Sequence, residues 1–256
     1  MLRRSFLLLL LSIALAMPAA AAERLGIVLM HGKAGSPGRG IDGLAAQLEA
    51  AGYLVDRPEM CWSRARIYDK SYADCIAEID EAVTRLRARG ASAIVIAGQS
   101  LGGAAAIAYG ARHAGLKGII AIAPAHSPER MVHNPTIAAS LAQAQAMIAA
   151  GKGDERGNFI DVNVGAPISV RARARDYASF FGTDSIGVIP PNAAKLSAPL
   201  LYLAGNADRT QLGPDYAFAK APPNPLNRYV TLASGHFDAP GAAAPAILAW
   251  LKELAG

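Results

Sequence analysis

Apolar residues along this chain follow two rhythms. Short, nearly unbroken aliphatic runs occur at 24–30 (RLGIVLM), 53–58 (YLVDRP), 92–98 (SAIVIAG), 116–124 (LKGIIAIAP), 198–208 (APLLYLAGNAD) and 227–234 (NRYVTLAS). They read as strands buried on both faces. Between them, apolar positions recur at helical spacing over 43–52, 72–89, 101–115 and 241–255, with Gly52 and Gly90 as stops. This alternation predicts an α/β domain: a mostly parallel sheet of about six strands, helices on both faces and right-handed crossovers. Ligand chemistry in such a sheet belongs at the carboxyl ends of the strands.

Two stretches break the rhythm. Residues 127–197 are too long for a simple crossover. They contain a helical pattern at 136–151 and read as a cap-like insertion over the site, with a plain extension of the scaffold as the alternative. Within them, RARARD (171–176) reads as a solvated helix edge. At the other end, MLRRSFLLLLLSIALAMPAAAAE combines two arginines, an apolar stretch and a small-residue run ending at Ala22. That is the pattern of a secretory signal peptide over 1–22, leaving a domain at 23–256. Its apolar core is shorter than the roughly 20 residues that span a bilayer. RRSFL also resembles a twin-arginine signal, although the leucine run favours the general secretory route. A periplasmic or secreted location is expected, with no stable membrane anchor after cleavage. The oligomeric state is not legible.

Composition narrows the partners. The formal net charge is +5, with Arg3 and Arg4 inside the export segment, and no concentrated basic face is visible, so no nucleic-acid partner is expected. The chain has two cysteines, Cys61 and Cys75. In an oxidising compartment a disulfide is the default, worth about 3 kcal/mol by chain entropy. Two buried thiols are the alternative. No histidine lies near this pair, and His126 and His133 lack carboxylates at ligand spacing, so neither a metal nor a cofactor is expected.

The candidate chemistry starts at IVIAGQSLGG (94–103), where a strand runs into two glycines with a serine between them. Close helix packing is one reading of the small residues here, but the order strand, sharp turn, helix fits a nucleophile elbow carrying Ser100. Gly98 and Gly102 then stand where side chains would clash. A serine hydroxyl needs a base to take its proton. His236, in ASGHFDAP after the last strand, has no evident packing task and is the candidate; His113 reads as a cation at a helix C-terminus. The base needs an acid to hold its tautomer. Asp208, after the fifth sheet strand, is preferred over Asp238, Asp184 and Asp176, and gives the chain order Ser, Asp, His that the elbow requires.

Four pieces in sequence, VLMHGKAG, GQSLGG, AGNAD and SGHF, resemble the α/β-hydrolase family over 24–256. The resemblance implies a compact form lacking that family's first two strands. It also implies an oxyanion hole made by the backbone N–H groups of Leu101 and Lys33, each donor commonly contributing around 3 kcal/mol. His31 and Gln99, beside that loop and the nucleophile, are candidate substrate contacts, with a structural hydrogen-bonding role preferred for His31. Trp62, Arg64, Arg66 and Tyr68, after the second strand, and His126, after the fourth, are further candidates; packing accounts for them about as well. The resulting expectation is a metal-independent serine hydrolase acting on a small-molecule carboxylic ester through an acyl-enzyme. A thioesterase or peptidase-type amide hydrolase on the same triad, or a binding protein on the hydrolase scaffold, are the alternatives.

Overall fold

The computed structural model describes residues 23–255, so the expected export segment lies outside the described residues. In chain order the strands are β1 (Leu25–Met30), β2 (Leu54–Asp56), β3 (Ala93–Gln99), β4 (Gly118–Ile122), β5 (Arg156–Asn163), β6 (Ala166–Arg173), β7 (Leu200–Gly205) and β8 (Arg228–Leu232). Six of them form one sheet in the order β2-β1-β3-β4-β7-β8, and every neighbouring pair is parallel. The α/β expectation of about six strands therefore holds. The helices are α1 (Asp42–Ala50), α2 (Tyr72–Ala77), α3 (Ile79–Ala88), α4 (Leu101–Gly110), α5 (Pro128–Met131), α6 (Pro135–Ala149), α7 (Ala174–Phe181), α8 (Ile189–Ala193) and α9 (Ala239–Ala255).

The unbroken aliphatic runs are explained by burial on both faces. Along β1, Leu25, Ile27 and Leu29 pack into the layer containing α1 and α9, while Val28 and Met30 pack into the layer of α3 and α4. Along β3, Val95 and Ala97 face the first layer and Ile94 and Ile96 the second. The period of two thus survives in the packing although no polar residue marks it. Each fully buried aliphatic side chain contributes about 1.5–3 kcal/mol.

Three boundaries differ from the sequence reading. The helix expected over 72–89 is parted at Glu78, whose carboxylate bonds the Arg66 guanidinium at 2.7 Å. The helix expected over 101–115 ends at Gly110, where a Cβ would stand 2.7 Å from Ile119; the His113 ring then bonds the Tyr109 carbonyl at the helix end. RARARD is not a helix edge. It straddles the end of β6 and the start of α7, with Arg171 and Arg175 exposed and Ala172, Ala174 and Asp176 buried. The alternation of large polar and small apolar residues belongs to the strand period there.

Residues 127–197 hold α5, α6, β5, β6, α7 and α8. Asn134 caps α6 by accepting from the N–H groups of Thr136 and Ile137. β5 and β6 pair antiparallel as a separate hairpin from Arg156↔Arg173 to Asn163↔Ala166. Its two-residue turn, Val164-Gly165, has positive φ at both positions (48° and 87°). Buried Phe159, Asp161, Val170 and Ala172 form the hairpin's inner face. Cys61 and Cys75 are joined by a disulfide with Cα atoms 5.7 Å apart.

Candidate active site

The strand register brings the chemistry together. Met30 lies beside Gly98, Gln99 beside Ile122, and Gly205 beside Leu232, so the loops after β1, β3, β4, β7 and β8 all leave from one sheet edge. Ser100 sits between β3 and α4 at φ 56°, ψ −120°, a conformation that strains any residue with a Cβ. Its backbone is fixed on both sides: its N–H donates to the Ile122 carbonyl at 2.9 Å, and its carbonyl accepts from Ala104 and Ala125. The flanking glycines are dictated by space. A Cβ on Gly98 would fall 2.2 Å from the Gly102 carbonyl oxygen, and one on Gly102 would fall 2.7 Å from that of His31.

Three of the expected residues form a continuous hydrogen-bonded chain. The Ser100 hydroxyl lies 2.9 Å from His236 Nε2, and His236 Nδ1 lies 2.7 Å from Asp208 Oδ2. Since the carboxylate only accepts, Nδ1 carries the proton and Nε2 is left to accept from serine. All three residues are 7% exposed. Asp238 is exposed and makes no bond to His236; Asp176 pairs with Arg173, and Asp184 lies in the loop after α7.

Two residues that the sequence reading passed over hold the acid. The Thr210 hydroxyl donates to Asp208 Oδ1 at 2.7 Å and the Thr210 N–H to the same oxygen at 2.9 Å; Gln211 Nε2 donates to Oδ2 at 3.2 Å. Burial opposes ionisation of Asp208, but hydrogen bonds from His236 and Thr210 outweigh it and keep the carboxyl below its ordinary value. The only sequence signal was adjacency to the expected acid. Loops after β7 and β8 are also laced together, Asn206 N–H to the Leu232 carbonyl and Ala207 N–H to that of Ser234.

The backbone N–H groups of Leu101 and Lys33 meet no acceptor among the described residues, which leaves both available beside Ser100. The Lys33 side chain crosses to the hairpin. Its Nζ donates to Asp161 Oδ1 at 2.7 Å and to the Val162 carbonyl at 3.0 Å, and it stands 5.6 Å from the centroid of the Phe181 ring. Asp161 is fully buried and also accepts from the Tyr68 hydroxyl at 2.6 Å and the Val162 N–H. This polar cluster ties the loop after β1 to the inserted segment.

Several expected substrate contacts are displaced from the cavity by packing. His31 is buried beneath its loop, its Nδ1–H donating to the Gly32 carbonyl and its Nε2 accepting from the Met60 N–H. Burial keeps this ring below its ordinary pKa despite the Gly32 bond. Trp62 donates its Nε1–H to the His31 carbonyl and stacks on Tyr72. Tyr68 packs on Phe180 and serves Asp161. Gln99 donates to the His236 carbonyl at 3.2 Å, so it braces the histidine loop. Arg64 is exposed and outside the cavity lining, and Arg66 is engaged with Glu78 and Asp69. Aromatic and indole groups of this size are buried where they fill the core beside the disulfide, and their polar tips bond locally.

His126 does line the cavity. It has φ 105°, and its Nε2–H donates to the Phe180 carbonyl at 2.9 Å. Burial, aided by the nearby Lys33 ammonium, pushes it down to about 3, so the ring is neutral. Its Nδ1 has no partner among the described residues.

Ser100, Leu101, His236 and Thr210 form the floor of a cavity of about 320 Å³. Its other walls come from Lys33 and from the inserted segment, notably Arg130, Ile137 and Val162. Among the described residues no group of three or more His, Cys, Asp or Glu side chains converges as a metal site would require, and no helix is long and apolar enough to cross a membrane.

Comparison with known proteins agrees with this architecture. No curated protein sequence matches the chain. Among solved structures, a metagenome-derived lipolytic enzyme described with LipS and LipT is 18% identical, with 91% of this chain and 96% of that chain covered at a TM-score of 0.66. Est1E of Butyrivibrio proteoclasticus, solved with ferulic acid bound, is 18% identical over 93% of this chain and 94% of that chain, TM-score 0.61. A thioesterase domain from the curacin biosynthetic pathway is 16% identical over 91% and 93%, TM-score 0.54. At these identities the likeness is one of fold. The family model described as serine aminopeptidase, S33 matches residues 21–156, more than half of the chain, and with the six-stranded fold it places this protein in that family of α/β-hydrolases.

Proposed function

We propose that this hydrolase cleaves small-molecule carboxylic esters through a serine acyl-enzyme. The observation that carries the reading is the unbroken chain from Ser100 Oγ through His236 to Asp208 at the floor of a cavity, beside two unengaged backbone N–H groups. Ser100 Oγ attacks the acyl carbon as its proton passes to His236 Nε2. Negative charge gathers on the former carbonyl oxygen, where the N–H groups of Leu101 and Lys33 stabilise it. The carbon–oxygen bond to the alcohol then breaks, and the leaving alkoxide takes the proton from His236. Water repeats the sequence on the acyl-enzyme, giving its proton to His236 and releasing the carboxylic acid as Ser100 recovers its hydrogen. Asp208 keeps Nδ1 protonated and stabilises the imidazolium throughout.

The family description draws attention to peptides with a free amino terminus. Recognition of an ammonium group calls for acceptors or carboxylates, and the cavity lining contains no aspartate or glutamate but does contain Lys33 and Arg130. This charge pattern favours the ester reading over an aminopeptidase one. We further propose that the protein is exported, with 1–22 as signal peptide and 127–197 as the cap over the site.

Reaction of residues 23–256 with a fluorophosphonate, followed by peptide mapping, tests the mechanism. Labelling at Ser100 that disappears in His236→Ala, together with turnover of p-nitrophenyl butyrate, is expected. Well-folded protein that neither labels nor turns over would sink the hydrolytic reading and favour a binding scaffold.

A further inference from the structure

Resting on the ester reading above, we propose that the substrate bears an anionic group, a carboxylate or its like, which Arg130 receives at the cavity mouth. The lining is unbalanced in charge. Two cations line it, Lys33 from the loop after β1 and Arg130 from α5, and no carboxylate of the lining answers them. The two differ in what they already do. Lys33 is neutralised by Asp161 and spends a second hydrogen on the Val162 carbonyl. Arg130 is exposed, and its guanidinium has no hydrogen-bond or ion-pair partner among the described residues. The acid next to it, Glu129, is turned to the Tyr216 hydroxyl at 2.6 Å.

A polar neighbour in the same lining offers donors as well, while the unpartnered His126 Nδ1 is an acceptor. Asn134 lends its Oδ1 to the first turn of α6, which leaves its amide hydrogens facing no acceptor among the described residues. A cleft with apolar walls and one sign of charge concentrates the field and draws in a ligand of the opposite sign. Arginine suits this task because its planar fork matches a carboxylate in two parallel hydrogen bonds. Ile137, Met131 and Val162 supply the apolar walls between the mouth and Ser100. The substrate that fits is therefore an ester with an apolar spacer between its scissile carbonyl and an anion.

The test compares matched esters on the parent, Arg130→Gln, Arg130→Lys and Arg130→Glu proteins. On the acyl side the pair is p-nitrophenyl glutarate and p-nitrophenyl valerate; on the alcohol side it is 4-acetoxybenzoate and its methyl ester. For at least one pair, kcat/KM of the parent should favour the anion by about tenfold at low ionic strength, and the preference should shrink with salt. It should fall to about one in Arg130→Gln, survive in part in Arg130→Lys and invert in Arg130→Glu. A parent without preference in either pair, or a preference indifferent to Arg130→Gln, overturns the proposal while leaving the hydrolase reading intact. Calorimetry of monomethyl glutarate with Ser100→Ala keeps the two separable. Binding lost in the double substitution with Arg130→Gln supports the anion site even if neither ester is cleaved, and no binding together with no turnover overturns both.

Discussion

The carboxyl edge of the sheet and the inserted segment 127–197 face each other across one cavity, yet they are held in opposite ways. Each contains a residue forced to positive φ: Ser100 at 56° on the elbow and Val164 at 48° on the hairpin tip. At the elbow the strain is enforced by backbone contacts, since Gly98 and Gly102 leave no space for a Cβ. At the hairpin it is imposed by the ladder on either side, and the turn itself is open to solvent. The elbow thus tolerates almost no change, whereas the inserted segment is fastened to the sheet edge by side chains, chiefly Lys33, Asp161 and Tyr68. In the proposed reading, chemistry resides on the rigid partner, and the wall that meets the rest of the substrate resides on the partner that can be remodelled.

The contrast can be broken most severely at the edge. Asp208→Asn should lower kcat for p-nitrophenyl butyrate by about 10⁴-fold, because the amide favours the wrong imidazole tautomer. Asp238→Asn should stay within about twofold of the parent, and the reverse ranking would move the acid. Gly98→Ala should cost more than about 3 kcal/mol in denaturant unfolding, or prevent folding, as its Cβ meets backbone that cannot yield.

On the cap side, Asp161→Leu removes the acceptor for a largely buried ammonium and a buried tyrosine hydroxyl, and should cost about 3 kcal/mol. Adding Lys33→Met should recover a large part of that loss. If the single change is neutral, the cap is held by apolar packing and the ionic fastening is incidental.

Smaller effects sharpen the picture. Thr210→Val removes a hydrogen bond to ionised Asp208, a loss of about 1 kcal/mol near pH 7. Asp208 is held below its ordinary 3.8, so this stabilisation is fully present above that pH and is lost as pH falls through the folded-state value. The stability gap between parent and variant should therefore close in acid. A gap that persists unchanged once the Asp208 carboxyl is protonated in the folded state would mean that the threonine acts by packing. Val164→Asn should raise stability by up to about 1 kcal/mol, since asparagine accepts positive φ more readily than a β-branched residue. The elbow and the hairpin tip would then respond oppositely to a local change at the same kind of backbone angle.

Legibility followed the same division. The sheet was readable because doubly buried strands need aliphatic side chains at every position, and the elbow because its glycines are sterically compulsory. The hydrogen-bonded chain of Ser100, His236 and Asp208 was readable because its members follow strand ends in a known order. The hairpin was hidden: its turn carries Val-Gly where Asn-Gly would have announced it, and Arg171 and Arg173 run on without a break into Arg175 of α7, so the strand end is not marked. The candidate contacts His31, Gln99, Trp62 and Tyr68 were near the site in sequence, but proximity does not say which way a side chain turns. The core beside the Cys61–Cys75 disulfide took the aromatics, backbone groups took the polar ends of His31, Gln99 and Trp62, and the Asp161 carboxylate took the Tyr68 hydroxyl.

Sequence alone determined the α/β alternation, the place of Ser100 between two glycines, and the order in which Asp208 and His236 follow it. These depend on local sterics and on the period of burial, both of which are written residue by residue. Tertiary structure alone decided that Asp208 meets His236, that Lys33 spans to Asp161, and that Arg130 lines the cavity without a partner among the described residues. Those facts depend on distances between segments up to 128 residues apart, where hydrogen-bond geometry and charge balance are set only after the layers have packed.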